Sequence, residues 1–283
     1  MMNRTYAEFS PADIESLQPT MKVGVLGTVN EAGQPHLTLI SSLQANTSTQ
    51  MIWGQFTEGL SKEQIRDNPR AGFLIMTLDR DLWRGKATFT HTAQQGPEFE
   101  MYNNTPMFRY NAYFGVHTVF FMDLVEHSGR QALPMGQIIP AAVRTLVAKT
   151  LSRRRSSTEV LNPWTQGLMN KIDNLKFLSY VGEDGYPLVI PIIQAQARES
   201  EHVIFSTGAF REDLEAIPTG TEVAVFGMSL DMEDVLLRGE FRGIRRIGGM
   251  RCGSVEVDWV YNPMPTKAQQ IYPPVSLEPV RSF

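Results

Sequence analysis

Ser61 and Lys62 place a hydroxyl and an ammonium side by side where an apolar run gives way to a short polar one. The run before them, Met51-Ile52-Trp53-Gly54-Gln55-Phe56, is apolar, aromatic and small, as a buried strand is. Glu58-Gly59 ends it, since glycine accepts backbone angles that other residues avoid. Ser61 then reads as the N-cap of a helix starting at Lys62, with Ile65 facing inward. Asn68-Pro69 stops that helix, because the residue before proline is pushed out of the helical region. Free N–H groups, the positive end of the helix dipole, a hydroxyl and an ammonium converge there on one point, which is the chemistry of a phosphate site. The plain alternative is an ordinary first turn with Lys62 in solvent.

Other reactive constellations are sparse. His36, His91, His117, His127 and His202 are scattered, each a candidate axial ligand for haem but more often a structural residue. No His, Cys and carboxylate spacing suggests zinc. Neither a Gly-Xaa-Ser-Xaa-Gly elbow nor a Walker loop is present, so hydrolase readings have no support. Arg153-Arg154-Arg155 reads as a solvated helix end that complements the helix dipole, with phosphate binding as the alternative.

The elements around Ser61-Lys62 must position it. Upstream, Val23 to Val29 and Pro35 to Leu43 read as two strands joined by an Asn30-Glu31-Ala32-Gly33 turn, Gly33 taking the left-handed position. Thr38, Ile40 and Ser42 fall on one face of the second strand. Downstream come Gly72 to Leu78 and a strand carrying Trp83-Arg84-Gly85. This order of strand, Asn30-to-Pro35 turn, strand, strand, Ser61-Lys62 with Asn68-Pro69, strand and Trp83-Arg84-Gly85 resembles the pyridoxamine 5'-phosphate oxidase-like, FMN-binding split-barrel family. Short helices at Ser10–Leu17 and Pro97–Tyr102, and a closing strand at His117–Glu126, complete the first half.

The second half repeats the first. Gly33-Gln34-Pro35 matches Gly185-Tyr186-Pro187 at an offset of 152, and at that offset Leu26 meets Leu178, Ile40 meets Ile192 and Ile52 meets Ile204. Arg84-Gly85 matches Arg238-Gly239 at an offset of 154, which implies two inserted residues. A fixed spacing of matches is the mark of an internal repeat. The expected fold is therefore mainly β: a split-barrel domain over 1–136, a helical linker over 137–160 and a divergent split barrel over 161–283, which opens with its own helix at Trp164–Ile172. In the second copy Arg211 would stand for Lys62, but Glu212 and Asp213 would repel a phosphate.

Composition bounds the rest. The 283 residues are 42% hydrophobic and carry a net charge of −4, which suits a folded globular chain and gives a nucleic acid no basic face. No apolar run approaches the ~20 residues of a spanning helix. The start lacks a signal-peptide core, and a single cysteine, Cys252, fits a reducing compartment, so a cytoplasmic protein is expected.

The resemblance implies FMN, with Ser61 and Lys62 holding its phosphate. Thr38, Leu39, Ile40, Gln55, Phe56 and Thr57 would line the phosphate, ribityl chain and ring edge, and Arg84 would lie near the flavin or phosphate. Thr38 stands where that family has an arginine. The Arg/Trp/Arg-Leu-Pro ending of true pyridoxamine phosphate oxidases is missing, which turns the reading toward a flavin-dependent oxidoreductase of another small substrate or electron acceptor. NAD(P)H is a candidate partner, and the catalytic residues are open. The resemblance also implies an internal pseudo-dimer of the two barrels, with one FMN per chain, its phosphate on the first barrel and its ring partly covered by the second near Arg238 or Trp259. Association of whole chains stays open. The alternative is a non-catalytic flavin- or haem-binding scaffold with a degenerate second barrel.

Overall fold

The computed structural model describes residues 5–108, 115–152, 159–229, 231, 233–263 and 269–274. It is mainly β, with two eight-stranded antiparallel sheets and six short to medium helices among the described residues. Residues 1–133 with 181–189 form one compact unit, and residues 134–180 with 190–283 form the other.

In the first unit, α1 (Pro11–Leu17) starts at a capping box in which Ser10 and Asp13 satisfy each other's backbone N–H groups. The sheet comprises β1 (Lys22–Val29), β2 (Pro35–Leu39), β3 (Gln44–Ala45), β4 (Gln50–Gln55), β5 (Arg70–Thr77), β6 (Asp81–Ala93), β7 (Thr118–His127) and β8 (Gln131–Ala132). Its order is β2-β1-β5-β6-β7-β4-β3, with β8 on β6. α2 (Leu60–Asp67) leads from β4 to β5, and α3 (Pro97–Asn104) lies between β6 and β7.

The rest of the chain carries α4 (Met135–Leu151), α5 (Pro163–Asn170) and α6 (Arg211–Glu215), and residues 181–189 at the β9–β10 turn count with the first compact unit although their strands belong to the second sheet. The second sheet comprises β9 (Leu175–Val181), β10 (Pro187–Pro191), β11 (Gln196–Arg198), β12 (His202–Ser206), β13 (Glu222–Met228), β14 (Asp234–Ile247), β15 (Met250–Asn262) and β16 (Gln269–Tyr272). Its order, β10-β9-β13-β14-β15-β12-β11, is that of the first sheet with every label raised by eight. The first turn of each copy is the same device: Gly33 at φ +78° and Gly185 at φ +79° close equivalent turns, with Gly33 N–H on Asn30 O and Gly185 N–H on Gly182 O. Glycine takes that left-handed conformation without the penalty other residues meet.

The strand ladders correct one detail of the repeat. Leu26 pairs with Phe73 and Phe73 with Gly85; 152 positions on, Leu178 pairs with Val225 and Val225 with Leu237. The register thus keeps a single offset through β14 and contains no two-residue insertion. It brings Arg238 opposite Lys86, not Arg84, in the comparison of copies. The β-bulge agrees, falling between Lys86 and Ala87 in β6 and between Arg238 and Gly239 in β14. The offset changes only at the next hairpin. Ile52 pairs with Phe121 and Ile204 with Ser254, because the first copy carries α3 and its following loop where β14 turns straight into β15.

That difference decides how each sheet is covered. The first barrel is filled by Leu26, Ile40, Trp53, Phe73, Ile75, Trp83 and Phe120, with Ile65 of α2 closing one end. Trp53 and Phe120 stack at 3.9 Å between ring centroids. The outer face of β4 and β7, at Ile52, Val119 and Phe121, is buried under Tyr102 and Phe108. Tyr102 donates to Ser42 O at 2.7 Å, and burial drives its phenol well above the usual range.

In the second unit α4 covers the corresponding surface, packing Ala148 against Ile204, Ile247 and Cys252. Thr145 Oγ1 accepts from Ser206 N–H at 2.9 Å. The helix expected as a linker is therefore integral to the second unit's packing. Burial raises the Cys252 thiol to about 11, so the single cysteine is a core residue rather than a nucleophile. The run Arg153–Arg155 and residues 109–114 of the aromatic stretch lie outside the described residues.

Candidate functional site

α2 begins two residues earlier than the sequence suggests. It spans Leu60–Asp67 with Gly59 as N-cap and no side-chain cap bond, so Ser61 is in the first turn rather than capping it. Lys62 N–H bonds to Gly59 O at 3.0 Å, and Asn68 in extended conformation ends the helix before Pro69 as expected. The helix is fixed to the barrel by Ile65 in the core and by Gln64 Oε1, which accepts from Thr28 Oγ1 at 2.7 Å. That anchor points the exposed Glu63 and Asp67 to solvent and leaves Ser61 and Lys62 buried, with 1% and 7% exposure.

Burial makes both side chains unusual. Ser61 Oγ has no hydrogen-bond partner among the described residues, although an unmade buried hydrogen bond costs about 1–3 kcal/mol. Desolvation holds the Lys62 ammonium below the ordinary lysine range, with Glu58 acting in the opposite sense. The contrast with the chain's other buried lysines is informative. Lys22 Nζ donates to Pro19 O at 2.7 Å, and Lys176 Nζ donates to Lys171 O at 2.7 Å and Ile193 O at 3.3 Å. Both are lowered to about 8 by burial, but both have backbone acceptors. Lys62 Nζ lies beside Gly59, 3.5 Å from where a Cβ there would be. Among the described residues it makes no hydrogen bond or ion pair.

Two more buried polar atoms, Thr38 Oγ1 and Gln55 Oε1, lack partners among the described residues, and both face the barrel core. The ladder shows why. Thr38 pairs with Leu26 and Leu26 with Phe73, both barrel-core residues, so Thr38 faces with them. Gln55 follows Met51 and Trp53 at strand spacing, and those two are in the same core. Ile40 is core as well. Thr38 Oγ1, Gln55 Oε1 and Ser61 Oγ are thus unsatisfied and Lys62 uncompensated in the first unit among the described residues. Native interiors seldom tolerate orphaned polar groups without a ligand, water or function to explain them.

The remaining expected residues fall elsewhere. Leu39 pairs with Val25, Val25 with Leu74 and Leu74 with Arg84, which puts Leu39 and Arg84 on the face opposite Thr38. Arg84 is held there through its backbone, whose N–H donates to Ser128 Oγ at 3.2 Å and whose C=O accepts from Ser128 N–H at 2.8 Å. Phe56 leaves the strand for the outer aromatic cluster, 5.6 Å from Phe108, and Thr57 lies in the connection to α2. Thr38, Ile40 and Gln55 therefore face the barrel core and Ser61 and Lys62 are buried in α2, whereas Leu39 and Arg84 lie on the opposite face and Phe56 in the outer aromatic cluster. Sequence reasoning missed Gln64 and Thr28, whose bond orients α2. Their separation by 36 positions carries no local signal.

The second copy lacks this arrangement. Arg211 Nε pairs with Glu215 at 2.7 Å, and α6 starts from Phe210 in left-handed conformation with no side-chain cap. Arg238 instead lies over the Trp259 ring, 3.6 Å from its centroid. No group of three or more His, Cys, Asp or Glu residues able to hold a metal occurs among the described residues. No described helix is long and apolar enough to cross a membrane.

No protein-family model matches the chain, and no curated protein does. Solved structures do match over part of it. HupZ of Group A Streptococcus is 16% identical over 42% of this chain and 91% of its own, with a TM-score of 0.35. An FMN-binding protein from Syntrophomonas wolfei subsp. wolfei is 18% identical over 37% and 74%, with a TM-score of 0.32. An FAD-binding protein from Mesorhizobium loti is 16% identical over 47% and 99%, with a TM-score of 0.31.

Proposed function

We infer that the first unit binds FMN and that the protein is a flavin-dependent oxidoreductase of a small substrate other than pyridoxamine 5'-phosphate. The observation that carries this reading is the buried Lys62 ammonium, without an ion pair, beside the orphaned Ser61 Oγ in the first turn of α2. A phosphate dianion supplies what both lack, a counter-charge and hydrogen-bond acceptors, and the free N–H groups of the helix start add further donors. Thr38 and Gln55 would meet the ribityl hydroxyls, since a hydroxyl can satisfy either a donor or an acceptor. When bound, the flavin supplies the hydride and electron chemistry. The chain's task is to hold the phosphate, orient the ring and exclude water.

Lys62→Ala is expected to weaken FMN binding roughly ten- to a hundredfold, because a charge-assisted contact is worth about 1.5–3 kcal/mol. Quenching of flavin fluorescence on titration with the protein measures this directly. An unchanged dissociation constant would remove Lys62 from the site, and with it the main support for the reading. Arg84→Ala serves as the contrast, since its strand faces away from Thr38; it is expected to leave the constant within about twofold.

A further inference from the structure

We propose that the second unit carries its own anion site, a hollow of about 440 Å³ lined by Arg198, Arg245, Arg246, Leu151, Ser152, Ile247 and Gly248, and that it takes the phosphate group of a small phosphorylated molecule. The proposal does not rest on the flavin reading of the first unit.

Arg198 is the residue that makes this a built site. It lies at the end of β11, is only 9% exposed, and its Nε has no hydrogen-bond partner among the described residues. Its ion pair with Glu199, itself only 10% exposed, is a long one, 3.9 Å from a terminal guanidinium nitrogen to the carboxylate. Burying a guanidinium without full pairing is costly unless a ligand completes it. Arg245 and Arg246 come from the far end of β14, where Arg246 donates to Gly249 O at 3.2 Å. Arg245 is exposed and acts on Glu256.

The opposing charges are few. Glu199 faces Arg198, and Glu256 is already bound by Arg242 at 2.8 Å. The C-terminal end of α4 points at the hollow, and its dipole is equivalent to roughly half a negative charge. That offsets a fraction of the charge of Arg198 and the exposed Arg245 and Arg246, which are successive strand residues and so leave β14 on opposite faces. Ala148 O is already taken by the N–H and Oγ of Ser152. The balance is positive.

Forked guanidinium groups match the oxygens of a phosphate, and the volume is that of a small-molecule pocket rather than a nucleic-acid groove. The neighbouring hollow between Arg144, Arg211 and Arg251 is a poorer candidate, because Glu215 pairs with both Arg211 and Arg251.

The test is calorimetric titration of the full chain with inorganic pyrophosphate, carried out in the Lys62→Ala background so that the first unit's phosphate contact is weakened throughout. Binding with a dissociation constant below about 1 mM is expected. Arg245→Gln combined with Arg246→Gln should weaken it at least tenfold, and Arg198→Lys, which keeps the charge but loses the fork, should weaken it severalfold while the melting temperature confirms folding. Absence of binding, or unchanged affinity in the double variant, would overturn the proposal. So would an oligonucleotide that binds at this face and resists displacement by pyrophosphate, since the occupant would then be a nucleic acid.

Discussion

Asp234→Asn is expected to stabilise the folded protein by about 4 kcal/mol at pH 8 and by under about 2 kcal/mol at pH 5. Asp234 opens β14 with 5% exposure, its Oδ1 has no hydrogen-bond partner, and burial raises its carboxyl from 3.8 to about 7. A carboxyl whose folded value lies above its unfolded one costs nothing below pH 4. Between about pH 4 and 7 the unfolded chain releases a proton that the folded chain retains, so stability falls with rising pH, and above 7 the full cost persists. Asparagine keeps the shape and removes the charge. Denaturant unfolding at the two pH values measures the difference, and an equal gain at both would show that the buried carboxylate is not the cause.

Trp53→Ala is expected to cost about 3–5 kcal/mol, the range for losing a large aromatic side chain from a packed core. Trp53 is fully buried and stacks on Phe120, and Arg66 of α2 lies 5.3 Å from the centre of that same Phe120 ring. Emptying the position therefore removes the floor beneath the helix that presents Ser61 and Lys62. Trp53→Phe separates packing from polarity. It keeps most of the aromatic volume and deletes an indole N–H that has no partner in the core, so it is expected to cost far less. Unfolding of the three proteins side by side decides the matter. Equal losses for Ala and Phe would mean that the indole N–H, not the stacked ring, carries the contribution.

What the amino-acid sequence discloses depends on how local the physics is. The Gly33 and Gly185 turns were legible because one glycine at a left-handed position decides each of them, and the matching turns open two sheets of the same strand order. The strand–helix–strand passage around Ser61 was legible for the same reason: an apolar run, a glycine break and Asn68-Pro69 are adjacent in the chain. The cap was misplaced because Gly59, in extended backbone, serves without a side-chain bond and Leu60 enters the helix ahead of Ser61. The offset of 154 came from one matching dipeptide, Arg84-Gly85 and Arg238-Gly239, whereas the ladder weighs every hydrogen-bonded pair along the strands. The opposed faces of Thr38 and Arg84 follow from pairing across four strands, which no single stretch encodes. Nor does the chain announce which buried groups lack partners, since that depends on residues as distant as Thr28 and Gln64.

The most direct test of the central claim, a flavin phosphate site at the start of α2, is the visible absorption spectrum of the full chain after incubation with excess FMN and removal of free ligand. Retained flavin bands, at about 375 and 450 nm, in a ratio near one per chain and largely lost in Lys62→Ala, are the predicted result. A chain that retains no flavin, or that instead holds haem and shows a Soret band, would contradict it.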